Sequence, residues 1–242
     1  MKNGLTELVF ILDKSGSMGG LEADTIGGYN SMLKKQQAIK GECHITTVLF
    51  DNNYELLHDR IDLKAVSAIT EREYQVGGST ALLDAIGRTI HKIGNAQKHT
   101  ADDYRAEKVM FVIITDGEEN ASREYSAEKV KAQIERQKAN YGWEFIFLGA
   151  NIDAVETAGR FGISPDRAVD YIADSEGTQL NYTVMAQAVA TFRDAGTVDG
   201  ACFEEIRKDV KRRGGVKVYC DKLNSSKAPA KSSTSSKSEG ML

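Results

Sequence analysis

Hydrophobic positions along this chain fall into short, wholly apolar runs separated by longer stretches in which apolar and polar residues alternate. The first run, Leu8–Leu12, stops at Asp13, and a second, Val109–Ile114, is followed closely by Asp116. A run without polar positions is typical of a strand that is buried on both faces, as parallel strands are beneath covering helices. The pattern therefore predicts central parallel strands that each end near a carboxylate.

The stretches between the apolar runs repeat apolar residues every three to four positions, which is the period of a helix that packs along one face. Two shorter segments rich in apolar and aromatic residues predict further strands. The predicted helices cover about Glu22–Ala38, the segments that follow Thr80 and Ser126, Leu180–Phe192 and Ala201–Arg212; the predicted strands are Glu144–Leu148 and Arg167–Ile172.

One pair of strands departs from the parallel pattern. His44–Phe50 and Tyr54–Arg60 are separated only by Asp51-Asn52-Asn53. Two strands joined by so short a turn cannot be parallel, so this segment predicts a hairpin. The alternation of strands and helices elsewhere predicts an α/β fold: a doubly wound, Rossmann-like, mostly parallel central sheet with one antiparallel edge strand and helices on both faces.

The length of 242 residues suits one sizeable domain with an extension. We divide the chain into a domain at 1–197, a partly ordered C-terminal extension at 198–223 and a disordered basic tail rich in Ser and Lys at 224–242, whose composition cannot bury a core. A short strand or docked segment is predicted at Val216–Tyr219. From Arg207 onward ten Lys and Arg stand against three Asp and Glu, although the whole chain has a net charge of −4.

Features of secreted and membrane proteins are missing from the sequence. The N-terminus runs directly into the first strand without a signal sequence, and no apolar run reaches the length of a membrane span. The three cysteines are an odd number without C-x-x-C spacing, which argues against a disulfide framework or a zinc site. We therefore expect a cytoplasmic protein that makes no contact with a membrane.

The residues after the first apolar run carry candidate metal chemistry. Asp13, Ser15 and Ser17 offer three oxygen atoms and no nitrogen or thiol, a ligand type that suits Mg²⁺ or Mn²⁺. Thr80 follows two glycines at the predicted start of a helix, where its hydroxyl could equally serve as a helix cap. The G-x-x-x-x-G-K-[ST] pattern of a phosphate-binding loop is not present there.

Taken together, these residues resemble the metal-ion-dependent adhesion site of the von Willebrand factor type A domain. The resemblance covers about residues 5–196, and all five motif positions match in residue type and chain order, so the motif is complete. It implies that three hydroxyls bind Mg²⁺, with Mn²⁺ as an alternative, and that two carboxylates bind it directly or through water. The implied metal ligands are Asp13, Ser15, Ser17, Thr80 and Asp116.

The resemblance also implies a function. Members of this family use the metal to bind an Asp or Glu carboxylate of a protein partner, so the chain is expected to be an interaction module, not an enzyme, with neither catalytic residues nor an organic cofactor. It is similar to stand-alone intracellular members encoded by prokaryotes and phages, some of which work beside ATPases in multiprotein complexes. The rim that would select the partner comprises Lys14, Met18, Gly19, Gly78, Ser79, Glu118 and Glu119.

Two other functions remain open from the residues alone. A Mg²⁺-dependent phosphoryl-transfer or phosphatase-like enzyme would use Asp13 as nucleophile and a second acid two residues later, where this chain has Ser15. The basic tail could bind an anionic partner such as a nucleic acid. Tyr219 is the sole aromatic residue after Phe203, so the tail lacks the aromatic side chains that stack on bases, which disfavours a nucleic-acid partner. Any such binding would be mostly electrostatic and steeply salt-dependent.

Overall fold

The computed structural model describes residues 2–214. The segment predicted at Val216–Tyr219 and the basic tail lie outside the described residues. Within them the chain alternates between strands and helices, with short 3₁₀ turns between some of these elements. The strands are β1 (Lys2–Asp13), β2 (Cys43–Phe50), β3 (Tyr54–Asp62), β4 (Ala106–Thr115), β5 (Glu144–Ala150) and β6 (Ala168–Tyr171); the helices are α1 (Glu22–Gln37), α2 (Leu82–His99), α3 (Ala127–Tyr141), α4 (Ala154–Arg160), α5 (Ser175–Ala195) and α6 (Glu204–Arg212).

The strands form one six-stranded sheet in the order β3-β2-β1-β4-β5-β6. Neighbouring strands are parallel except β2 and β3, which pair antiparallel across the turn at residues 51–53. The predicted fold class is therefore confirmed, including its single antiparallel edge strand. The chain winds outward from β1 in one direction and from β4 in the other, so these two strands flank the switch point where open α/β sheets bind ligands.

Both faces of the sheet are covered by helices, which explains the unbroken apolar runs. Alternate residues of β1 point to opposite faces. Leu8 and Phe10 join a core with α1, α5 and α6, whereas Val9 and Ile11 join a second core with α2, α3 and α4. Each position from Leu8 to Leu12 is therefore buried in one core or the other.

Several predicted boundaries lie within one or two residues of the observed ones, but β1, β4 and α5 begin at Lys2, Ala106 and Ser175, before the apolar segments that predicted them. The strand predicted to close at Leu148 continues through Gly149 to Ala150, because Gly149 pairs with Asp170 of β6. The helix predicted over Ala201–Arg212 is a 3₁₀ turn followed by α6. None of the helices within residues 2–214 combines the length and apolar character needed to cross a membrane.

The two adjacent glycines of α1 have different surroundings. A Cβ atom built on Gly28 would lie 2.3 Å from Cδ2 of Tyr182 on α5, whereas one built on Gly27 would meet nothing within 4 Å. The Tyr182 side chain is buried between the helices and the sheet. Gly28, but not Gly27, therefore allows α1 to pack closely against α5.

This difference gives a matched pair of variants. We expect Gly28→Ala to lower the free energy of unfolding by about 1–3 kcal/mol, because the methyl group overlaps a buried ring that cannot move freely. Gly27→Ala should raise it by about 0.5–1 kcal/mol, because alanine favours the helix and meets no obstacle. Urea denaturation of both variants measures the effects. Equal changes in the two variants would contradict the packing described here.

Candidate metal centre

Both candidate carboxylates lie at the switch point of the sheet. Asp13 is the last residue of β1, and Asp116 directly follows β4. The two strands pair in parallel, with Leu12 opposite Ile114. Parallel strands end at the same edge of the sheet, so the pairing brings together two carboxylates that are 103 residues apart in the chain.

Asp13 is almost completely buried, with 1% of its surface exposed. One carboxylate oxygen, Oδ1, accepts the Ser15 N–H at 2.7 Å, and the other, Oδ2, accepts the Thr115 hydroxyl at 2.5 Å. The Tyr74 hydroxyl donates to the Asp13 carbonyl oxygen. Burial raises the pKa of Asp13, while the Thr115 and Ser15 hydrogen bonds partly oppose that rise. The carboxylate thus fixes the start of the following turn.

The turn after β1 is hydrogen-bonded to the glycine-rich loop before α2. The Gly16 N–H donates to the Gly78 carbonyl at 3.1 Å, and the Gly77 N–H donates to the Lys14 carbonyl at 2.9 Å. Gly78 has a φ of +74°, a conformation that glycine adopts without strain, and its Cα faces the Asn52 side chain. These contacts hold the two loops in register across the switch point.

The hydroxyls of this turn and the glycine-rich loop converge beside Asp116. Ser17 Oγ lies 3.1 Å from Ser15 Oγ and donates to Asp116 Oδ1 at 2.5 Å. A Cβ atom built on Gly117 would lie 3.0 Å from Ser17 Oγ and 3.3 Å from Thr80 Oγ1. Both hydroxyls therefore approach the same small space, which Gly117 leaves open.

Thr80 is held by its backbone. Its N–H donates to Asn120 Oδ1 at 2.9 Å, and its carbonyl accepts the Asn120 and Ala121 N–H groups at 3.0 and 3.2 Å. The N-cap residue of α2 is Ala81, whose side chain makes no capping hydrogen bond. The Thr80 hydroxyl is therefore not a helix cap, and it makes no hydrogen bond within residues 2–214. It remains available to a ligand.

Asp116 carries the clearest sign of a missing partner. Its side chain is 2% exposed, and Oδ2 is buried without a hydrogen-bond donor in the described part of the chain. The pKa of Asp116 is raised to about 6: burial is the main cause and the nearby Asp13 carboxylate adds to it, whereas the Ser17 hydrogen bond opposes the rise. A buried carboxylate oxygen without a partner is costly, so this position favours a cation.

The donors fit a hard divalent ion. Two carboxylates and three hydroxyls are the oxygen ligands that Mg²⁺ and Mn²⁺ prefer. Between residues 2 and 214 no group of three or more His, Cys, Asp or Glu side chains lies close enough together to hold a metal ion. A cation at this site would consequently depend on the serine and threonine hydroxyls.

The structure corrects part of the predicted rim. Met18 is buried in the core beneath α1, and it does not lie on the surface. Glu119 accepts the Leu83 N–H at 2.8 Å and the Ser122 N–H at 2.7 Å, so its carboxylate clamps the loop after β4 to the start of α2. Glu118, in contrast, is exposed.

Sequence reasoning missed the residues that support the candidate ligands. Thr115 and Tyr74 hold Asp13, and Asn120 holds Thr80. Thr115 precedes the candidate ligand Asp116 directly, which is a weak signal. Tyr74 and Asn120 lie in irregular segments where no periodicity marks them.

Comparison with solved structures identifies the fold as that of von Willebrand factor type A domains. A von Willebrand factor type A protein from Catenulispora acidiphila matches with a TM-score of 0.52 and 13% identity, over 76% of this chain and 42% of its own. The pilus adhesin SpaC from Lactobacillus rhamnosus GG, in an open conformation, matches with a TM-score of 0.57 and 12% identity, over 79% and 30%. A mutant of the PilB minor pilin from Streptococcus sanguinis matches with a TM-score of 0.54 and 12% identity, over 78% and 62%.

These matches concern the fold, because the identities are low. The chain spans less than two thirds of the length of each of the three structures. By sequence, no family model matches the chain, and no curated protein matches it either.

Proposed function

We propose that this chain is a member of the von Willebrand factor type A family that binds a divalent cation and, through it, a carboxylate of a protein partner. The observation that carries the proposal is the buried Asp116 carboxylate, whose Oδ2 lacks a hydrogen-bond donor within residues 2–214. Its Oδ1 accepts the Ser17 hydroxyl, and the Ser17 and Thr80 hydroxyls both lie beside the adjacent Gly117. A cation satisfies Oδ2, whereas a helix-capping or purely structural role leaves it unexplained.

The cation would be held by the five oxygen-bearing side chains at the switch point. Mg²⁺ is the expected ion and Mn²⁺ an alternative. Two carboxylates balance the charge of a divalent ion without exceeding it, and the three hydroxyls are neutral. When bound, such an ion supplies an electrophilic centre for an incoming anion. The proposed ligands are Asp13, Ser15, Ser17, Thr80 and Asp116.

An Asp or Glu side chain is the anion we propose for the partner. The ligand set contains no basic residue that would bind a phosphate, and the Lys14 ammonium is paired with the Glu55 carboxylate at 2.7 Å. One of the structures that share the fold is a pilus adhesin, so the fold is compatible with a binding role. We propose a cytoplasmic, non-enzymatic module whose partner belongs to a multiprotein complex such as one with an ATPase.

A pull-down from the host lysate tests the proposal. The wild-type chain is presented in Mg²⁺ and in EDTA, and Asp116→Asn is presented in Mg²⁺. We expect a protein that is retained by the wild type in Mg²⁺ and lost in both other conditions. Replacement of the contacting Asp or Glu of that partner by Asn or Gln should abolish retention.

A partner retained equally in EDTA, or equally by Asp116→Asn, would contradict metal-dependent binding. Asp103→Asn is the matched control, since Asp103 is exposed and lies in the 3₁₀ turn before β4, away from the switch point. This control variant should retain the partner as well as the wild type does.

A further inference from the structure

Asp116 begins a loop without regular secondary structure. The loop comprises residues 116–126, between the end of β4 and the start of α3, and we call it the β4–α3 loop. A side chain in an irregular segment keeps its place only if other groups hold the backbone of that segment. The position of Asp116 therefore depends on what the β4–α3 loop is bonded to.

The far half of this loop is bonded to a single carboxylate, that of Asp84 on the first turn of α2. One oxygen, Oδ2, accepts the Arg123 N–H at 2.9 Å, and the other, Oδ1, accepts the Glu124 and Tyr125 N–H groups, each at 2.9 Å. Although burial opposes them, these backbone hydrogen bonds hold the pKa of Asp84 below its usual range. The carboxylate is therefore ionised at neutral pH, and hydrogen bonds to a charged acceptor are strong.

The loop in turn satisfies the first N–H groups of α2. Glu119 accepts the Leu83 N–H, and the Ser122 hydroxyl accepts the Asp84 N–H at 3.0 Å. The same Glu119 carboxylate accepts the Ser122 N–H, so it also fixes the shape of the loop. Helix and loop thus exchange hydrogen bonds in both directions, and the start of α2 and the β4–α3 loop form one unit.

This unit contains two of the proposed metal ligands. Thr80 lies two residues before α2, and its carbonyl accepts the N–H groups of Asn120 and Ala121. These two residues lie between Asp116 and the three residues that Asp84 holds. Asp84 itself is not a ligand, because both of its oxygens already accept hydrogen bonds. Residues that hold metal ligands in this way commonly influence metal affinity.

We propose that Asp84 is a positioning residue of the metal centre: its carboxylate fixes the β4–α3 loop and, through that loop, the position of Asp116 relative to Thr80. The inference rests on the proposed function, since it concerns the affinity of the same site for its cation.

Calorimetric titration of Mg²⁺ into the full-length wild type and Asp84→Asn tests this role. We expect the affinity of the variant to be at least about tenfold lower, because asparagine places an NH₂ group against backbone N–H donors. Glu124→Gln is the matched control, since it removes a negative charge from the same loop and breaks only an exposed ion pair with Arg88. Glu124→Gln should bind Mg²⁺ as the wild type does. Gly28→Ala, which is expected to be destabilised far from the loop, should do so as well.

Amide hydrogen exchange in EDTA, followed residue by residue by NMR, gives a second measurement that needs no metal. In Asp84→Asn the amides of residues 123–125 lose their acceptor and should exchange at least about tenfold faster. The amides of residues 120 and 121 should also exchange faster, although they are bonded to Thr80 and not to Asp84. Faster exchange confined to residues 123–125 would overturn the proposed link to Thr80.

The outcomes separate this inference from the proposed function. Absence of Mg²⁺ binding by the wild type would overturn the proposed function and this inference with it. Full affinity in the folded Asp84→Asn, or equal weakening in Glu124→Gln or Gly28→Ala, would overturn the positioning role alone. Urea denaturation establishes that each variant is folded. If Asp84→Asn does not fold, Glu119→Gln decides in the same way, because it weakens the same contact from the side of the loop and should also lower Mg²⁺ affinity.

Discussion

Asp116→Asn is expected to stabilise the metal-free protein at neutral pH while it removes metal binding. The folded protein raises the pKa of Asp116 from 3.8 to about 6, chiefly through burial. The folded state therefore holds the proton more tightly than the unfolded state. The contribution of the protonated Asp116 to the free energy of unfolding is fully present below pH 3.8. This contribution is lost as the pH rises through about 6, where the buried carboxylate ionises.

The size of that loss follows from the pKa shift. A rise of about two pKa units corresponds to about 3 kcal/mol at pH 7.5, which asparagine would restore because it cannot ionise. Urea denaturation in EDTA at pH 4 and pH 7.5 measures the effect. The variant should gain about 2–3 kcal/mol over the wild type at pH 7.5 and much less at pH 4. Equal stability of the variant and the wild type at pH 7.5 would contradict this account, because it would show that ionisation of Asp116 does not destabilise the metal-free fold.

Asp13→Ala is expected to destabilise the metal-free protein, which is opposite to the effect expected of Asp116→Asn. Both carboxylate oxygens of Asp13 accept hydrogen bonds, one from the Ser15 N–H and one from the Thr115 hydroxyl. Removal of the side chain leaves these two donors unpaired at a buried position, which should lower the free energy of unfolding by about 2–4 kcal/mol. The two candidate metal ligands thus differ in their structural role.

Urea denaturation of Asp13→Ala in EDTA at pH 7.5 measures this loss. Asp13→Asn, which keeps the volume and an acceptor oxygen, should lose less. If Asp13→Ala is as stable as the wild type, this expectation is contradicted, because water would then satisfy the Ser15 N–H and the Thr115 hydroxyl without cost. The expected loss also makes Asp116→Asn the better variant for binding experiments, because we expect its fold to be retained.

The layout of the fold and the position of the candidate ligands could be predicted from the sequence for one physical reason. Runs such as Val109–Ile114 have no polar position, so they are buried on both faces, and parallel strands end at a common edge. Residues that follow such strands, such as Asp13 and Asp116, are brought together by that topology. The spacing of Ser15 and Ser17 then places their hydroxyls in the same turn.

Features that depend on contacts between distant segments could not be predicted. Glu118 and Glu119 follow the same strand and look alike in the sequence, yet only Glu119 clamps the start of α2. Nothing in the helical period of α2 shows that Gln97 keeps an unpaired oxygen, since that depends on its bond to Glu7, 90 residues away. Hydrogen-bond partners across the fold decide such roles, and a one-dimensional pattern does not contain them.

The most direct test of the central claim is a calorimetric titration of Mg²⁺ into the wild type, Thr80→Val and Asp116→Asn. The account predicts one ion per chain for the wild type, affinity at least about tenfold lower for Thr80→Val, and no binding by the folded Asp116→Asn. Thr191→Val, an exposed position on α5, should bind as the wild type does. Absence of Mg²⁺ binding by the wild type, or equal binding by all four proteins, would contradict a metal centre at the ends of β1 and β4.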